Sequence, residues 1–219
     1  MKKLLLNNQA FFIPYALVLV VFSILLLSYN KADLHIMLNS AHSPFFDQFF
    51  RYATYLGDGV IIAILAVALL FVRFRHAIAF LIGSLVSAGI VNLFKKVLLE
   101  DMYRPSKYFE LFETAQLHLV EGVNLHSLQS FPSGHTASAF SVFFFLALIA
   151  KRKSTKFGMF LLAIIVAYSR VYISQHFLVD ITAGSIIAVL VMFFTFIWVK
   201  NWKKEWLDNS VLSKPTQQT

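Results

Sequence analysis

Ser169-Arg170, five residues, His176, three residues and Asp180 lie in order within an apolar stretch. An arginine or an aspartate at membrane depth costs roughly 2.5–3.5 kcal/mol on insertion scales, so charges there mark function. Four residues apart on a helix, His176 and Asp180 would share one face within contact range. A carboxylate accepting from one imidazole nitrogen fixes the tautomer and frees the other as nucleophile or base.

Two further polar clusters stand upstream. Pro132-Ser133-Gly134-His135 opens an apolar run. Proline suits a first helical turn, and the amides after it lack intrahelical partners, which with the helix dipole makes an anion site. Ser133 adds a hydroxyl donor, Gly134 lets an oxyanion approach the backbone, and His135 stands by as a proton donor. Lys95-Lys96 precede Arg104-Pro105. Arginine forks match phosphate oxygens, and Lys96, Arg104 and Arg170 together would stabilise charge developing in phosphoryl transfer. The three clusters read as a site for a phosphoryl group, with no metal-ligand cluster, cofactor or nucleotide loop in the pattern. With no cysteine in the chain, disulfides, zinc–thiolate sites and thiol nucleophiles are excluded.

The elements that must position these residues are membrane helices. The chain is 58% hydrophobic and 14% charged, where a soluble domain carries about 25% charged residues. Continuous apolar runs without two-residue alternation favour helices over a barrel. Six spans are expected, at about 11–28, 56–72, 77–94, 131–150, 157–172 and 177–199, in one all-α domain covering 1–219. No charge interrupts the chain between Lys3 and Lys31 and no small-residue cleavage site is seen, so the first span reads as an uncleaved helix rather than a signal peptide.

Charge fixes the expected orientation. Lys2, Lys3, Arg73, Arg75, Lys151, Arg152, Lys153, Lys156, Lys200, Lys203, Lys204 and Lys214, twelve of the 19 basic residues, fall on one side of a six-span chain. The positive-inside rule makes that side, with both termini, cytoplasmic. It also explains the net charge of +8 without nucleic acid as a partner. All three polar clusters then lie at the outer interface. The segment 45–52 reads as a helix in the interface, and the loop 100–130 as a lid or substrate-selecting wall.

These motifs resemble those of the type 2 phosphatidic acid phosphatase superfamily, integral membrane lipid phosphatases marked by Lys-x6-Arg-Pro, Pro-Ser-Gly-His and Ser-Arg-x5-His-x3-Asp. The second and third match at Pro132–His135 and at Ser169, Arg170, His176 and Asp180. The first departs, since seven residues separate Lys96 from Arg104 and eight separate Lys95. One extra residue turns a helix by about 100°, so Lys96 fills the role only if the segment bulges or unwinds before Arg104.

The resemblance implies a metal-independent hydrolase without a cofactor. His176 would attack phosphorus to form a phosphohistidine, oriented by Asp180. His135 would protonate the leaving oxygen and then activate water. Lys96, Arg104, Ser133, Gly134 and Arg170 would hold the phosphate oxygens. Membrane lipids and a lipid phosphate are the implied partners, with no obligatory protein partner in view. For a bacterial chain in the inner membrane, undecaprenyl diphosphate is the favoured substrate on family habit. Phosphatidate, phosphatidylglycerol phosphate and lipid A are the alternatives, and a lipid phosphotransferase or a non-catalytic transporter the rival functions.

Overall fold

The computed structural model describes residues 1–213; Lys214, counted above among the inner-side cations, lies outside them. Ten α-helices appear among the described residues: α1 (Lys2–Asn7), α2 (Gln9–Ser28), α3 (Lys31–Asn39), α4 (Pro44–Ala53), α5 (Gly59–Leu70), α6 (Phe74–Leu93), α7 (Pro105–Phe112), α8 (Gly134–Ile149), α9 (Lys153–Tyr172) and α10 (Leu178–Lys200). A 3₁₀ turn, Thr54–Gly57, joins α4 to α5, and a π turn, Phe94–Leu98, extends α6. No strand occurs among the described residues. The all-α expectation holds.

Each expected span has a helix, but the helices differ in their fitness to cross a bilayer alone. α2, α9, α10 and α6 with its π turn are long and apolar enough. α5 has 12 residues, about 18 Å at 1.5 Å per residue, and meets the α4–Gly57 segment at 51°. α8, with 16 residues, is shorter than the roughly 20 that a lipid-facing span needs. It is also the central helix: Phe140, Phe144, Phe145 and Ala147 are fully buried against α2, α6, α9 and α10. A helix shielded by its neighbours need not match the hydrocarbon thickness.

The periphery is the reverse of α8. On α2 only Phe11 and Tyr15 are buried, while Leu17, Val20, Ile24 and Leu27 are exposed. An apolar face of that kind needs lipid around it. Close packing at the centre uses small residues, as membrane helices do. A Cβ on Gly184 of α10 would lie 2.5 Å from the Ser133 carbonyl oxygen, and one on Gly83 of α6 would strike Met192. Gly184 therefore lets α10 abut the start of α8, where two of the polar clusters must meet.

The loop expected at 100–130 is not structureless. Arg104 stands at the N-cap of α7 with Pro105 in its first turn, and the following segment returns to the bundle through hydrogen bonds described next.

Candidate active site

The three clusters gather at one end of the bundle, where α6 and α9 finish and α8 and α10 begin. The Ser133 amide donates to the Asp180 carbonyl at 3.0 Å, tying the α8 start to α10. Arg104 donates from Nε to Leu128 O (2.9 Å) and from Nη1 to Gln175 Oε1 (2.8 Å), and Gln175 Nε2 reaches Asn124 O (3.0 Å). The long loop is thereby sewn to the α9–α10 connection, with Arg104 at the seam.

His176 and Asp180 are in contact, but not as two residues on one helix face. His176 precedes α10, whose N-cap is Phe177, and Asp180 is the third helical residue. The carboxylate folds back over the helix start: Asp180 Oδ2 accepts the Phe177 amide at 2.9 Å and the Ser130 hydroxyl at 2.5 Å. His176 Nδ1 lies 3.4 Å from the same oxygen, yet off the line of a hydrogen bond, and is left without a partner among the described residues. Such catalytic contacts often tighten only with substrate bound. Both side chains are 1% exposed. Burial, then the charges of Arg104, Arg170 and Lys95, push the His176 pKa well below the usual imidazole value, so the ring is neutral at pH 7, as a nucleophile requires.

Arg170 is buried at the end of α9. Its Nη1 donates to Thr54 Oγ1 at 2.6 Å, while Nε has no partner among the described residues. Among the described residues neither Arg104 nor Arg170 meets a carboxylate. Burial lowers the pKa of Arg104, as expected for a guanidinium denied both water and a counter-anion. Burying cations without anions is costly, and a bound phosphate would relieve it.

The start of α8 differs in detail from expectation. Pro132 lies outside the helix, before Ser133, which is the N-cap. The Ser133 hydroxyl accepts from Thr136 N (3.3 Å) and Thr136 Oγ1 (2.9 Å), leaving its own proton to donate. Among the described residues the amides of Gly134 and His135 donate to nothing, and a Cβ on Gly134 would have only Val91 Cγ1 within 4 Å, at 3.8 Å. Two unpartnered amides at the head of a 16-residue helix, beside open space at Gly134, can cradle an anion.

Lys96 requires correction. Its side chain is exposed, whereas the half-buried Lys95 donates to Gln129 O at 2.9 Å and lines the same cavity as Gly134 and His135. The segment does bulge before Arg104, through the π turn at Phe94–Leu98 and the non-helical stretch from Leu99 to Tyr103. The wider turn changes which lysine faces inward, and it is Lys95.

Four contributors carry no sequence motif: Ser130 on Asp180, Gln175 on Arg104, Thr54 on Arg170, and Gly57. A Cβ on Gly57 would lie 2.6 Å from the His135 carbonyl oxygen, so glycine is what allows the 3₁₀ turn to press against α8. The non-glycine residues with positive φ, Gln129 (58°) and Ser174 (53°), sit in the two connections that form the site, where strained backbone commonly accompanies function. Among the described residues no three His, Asp or Glu side chains are grouped to hold a metal ion.

The sequence model of the PAP2 superfamily matches residues 76–204. The lipid A 4'-phosphatase of Porphyromonas gingivalis is 25% identical over 194 residues, covering 85% of this chain and 80% of that protein. The crystal structure of Aquifex aeolicus LpxE superposes with a TM-score of 0.67 at 24% identity, covering 78% of this chain and 97% of the other. A PAP2-type phosphatidylglycerolphosphate phosphatase from Bacillus subtilis gives 0.56 at 20% identity, covering 91% and 98%. These last two likenesses concern the fold.

Proposed function

The chain belongs to the PAP2 superfamily, and from that premise we propose that it is a membrane enzyme hydrolysing a lipid phosphate through a phosphohistidine on His176. The observation that carries this reading is the buried His176 beside Arg104 and Arg170, which among the described residues pair with no carboxylate. The phosphate would lie against the Gly134 and His135 amides, held by Arg104, Arg170, Lys95 and the Ser133 hydroxyl. The His176 ring nitrogen remote from Asp180 attacks phosphorus as the ester P–O bond breaks. His135 gives its proton to the departing lipid oxygen. It then takes a proton from water, whose oxygen attacks phosphorus, breaks the P–N bond and releases inorganic phosphate. Asp180, fixed by Ser130 and the Phe177 amide, orients His176 and supports the positive charge that forms on it.

The reading includes six crossings as a single domain, both termini in the cytoplasm, and the site on the outer face of a bacterial inner membrane. Its support is the positive-inside count and the common end of the bundle reached by all three clusters. For the substrate, the Porphyromonas relative favours a phosphate on an acylated sugar. Undecaprenyl diphosphate, favoured by the family resemblance alone, is the second reading.

The test is phosphate release by purified protein, with chelator present and no acceptor lipid added, across an acylated glucosamine phosphate, phosphatidate, phosphatidylglycerol phosphate and undecaprenyl diphosphate. Release from at least one, lost in His176→Ala with the fold intact, is the expected result. Release only when an acceptor lipid is supplied would make the protein a phosphotransferase, and none under any condition would leave a non-catalytic protein.

A further inference from the structure

Below the phosphate cradle, a cavity of about 250 Å³ runs down between α5, α6 and α8. Lys95, Gly134 and His135 line its upper part, and Ser84, Ser87 and Ser141 are also in its wall. On α6, Ser84, Ser87, Val91 and Lys95 follow one another at helical spacing, placing Ser84 about 16 Å along the axis from Lys95. On α8, Ser141 lies about 10 Å from Gly134 by the same rise.

The three serines are 3%, 2% and 1% exposed, and none of their hydroxyls has a hydrogen-bond partner among the described residues. This is unusual on a helix, where a serine hydroxyl readily bonds a carbonyl one turn back, as Ser23 does with Leu19 O at 2.8 Å. A buried hydroxyl without a partner costs about 1–3 kcal/mol. Three facing one cavity at hydrocarbon depth imply that something polar fills it.

We propose that this cavity is a subsite for the acyl-linkage carbonyl oxygens of the substrate lipid, with Ser84, Ser87 and Ser141 donating to them. The inference rests on the lipid-phosphatase reading and narrows its substrate class. An acylated sugar phosphate or a diacylglycerol phosphate carries ester or amide carbonyls several bonds beyond the phosphate. Val91 is level with Gly134, so Ser87, about one turn deeper, is the first hydroxyl they meet, with Ser84 and Ser141 below it. A polyprenyl diphosphate carries a second phosphate beside the reacting one and then only hydrocarbon, with no carbonyl for the deeper hydroxyls. Ile62 and Val91, also in the wall, suit the start of an acyl chain.

The test pairs one variant with one change in the ligand. In detergent micelles, thermal stabilisation of the full-length protein is measured with diester phosphatidate and with its diether analogue, which lacks the carbonyls. The wild type should bind the diester about 5–30-fold more tightly, one or two hydrogen bonds' worth. The S84A/S87A/S141A triple variant should bind both alike. Its melting temperature should equal or exceed that of wild type, because alanine removes unpaired hydroxyls from helices that favour it. The same variant should raise KM for phosphatidate and for an acylated glucosamine phosphate, and leave undecaprenyl diphosphate and para-nitrophenyl phosphate within about twofold. Equal binding of diester and diether by wild type would overturn the subsite, as would a triple variant that melts lower or loses activity on all four substrates alike. Absence of phosphate release from wild type would instead sink the phosphatase reading, and the binding comparison would still decide the subsite.

Discussion

Arg75, where α6 begins and α10 ends, donates from Nε and Nη2 to the two oxygens of Asp208, both at 2.9 Å, and from Nη1 to Val199 O and Trp202 O. Arg170, at the opposite end, has Thr54 for Nη1 and no partner for Nε among the described residues. One guanidinium closes off the last carbonyls of a helix beside a bidentate carboxylate. The other is more deeply buried and less well satisfied. A fold that can saturate an arginine, and does so at one end, leaves one short at the other, as the proposed phosphate site requires. Electrostatic satisfaction separates the end that Arg75 ties together from the end where the three motifs meet.

The harshest attempt to break that contrast is His176→Ala. It should lower turnover by at least about 10³-fold with no loss of melting temperature, and a variant keeping a tenth of the wild-type rate would remove His176 as nucleophile. The paired arginine variants come next. Arg170→Ala should cost about 10²–10³-fold in kcat/KM with little change in melting temperature. Arg75→Ala should leave the rate per folded molecule near wild type and lower the melting temperature by about 2–4 °C. A similar stability loss from both would erase the distinction between the two ends.

Smaller effects sharpen it. Lys95→Ala should cut kcat/KM by about 10–100-fold while Lys96→Ala stays within about twofold, and the reverse order would restore Lys96 to the site. Ser130→Ala, which frees Asp180 without removing it, should lower kcat about fivefold with KM nearly unchanged; an effect on KM alone would make Ser130 a ligand contact.

Least in size is a pH effect on stability. Burial, then the charge of Lys31, lowers the His35 pKa to about 4, and His176 is lowered as well. Between the unfolded value of about 6.5 and these folded values the unfolded chain binds more protons, so stability falls as pH drops from 6.5 toward 4. The melting temperature of His35→Leu should decline less over that range than that of wild type.

Pro132–His135 and Ser169–Asp180 could be read as a phosphate site because their spacing is short and local, and because charges in apolar runs need a reason to be there. The helices were legible for the same cause: lipid leaves the backbone few ways to satisfy itself. The inward-facing lysine was not, because a π turn shifts the facing of α6 by an amount no local pattern announces. Nor were Ser130, Gln175 and Thr54, ordinary polar residues 50, 71 and 116 positions from their partners in sequence.

The sequence alone determined that this chain is helical, that it belongs in a membrane, and which imidazole, carboxylate and arginines to look for at one site, since each follows from composition or from motifs within a few turns. Only the tertiary structure decided that Lys95 points inward, that Asp180 is held from across the bundle, and that three serines face a cavity without partners. Those facts depend on how separate helices rotate and abut, which short-range chemistry along the chain leaves free.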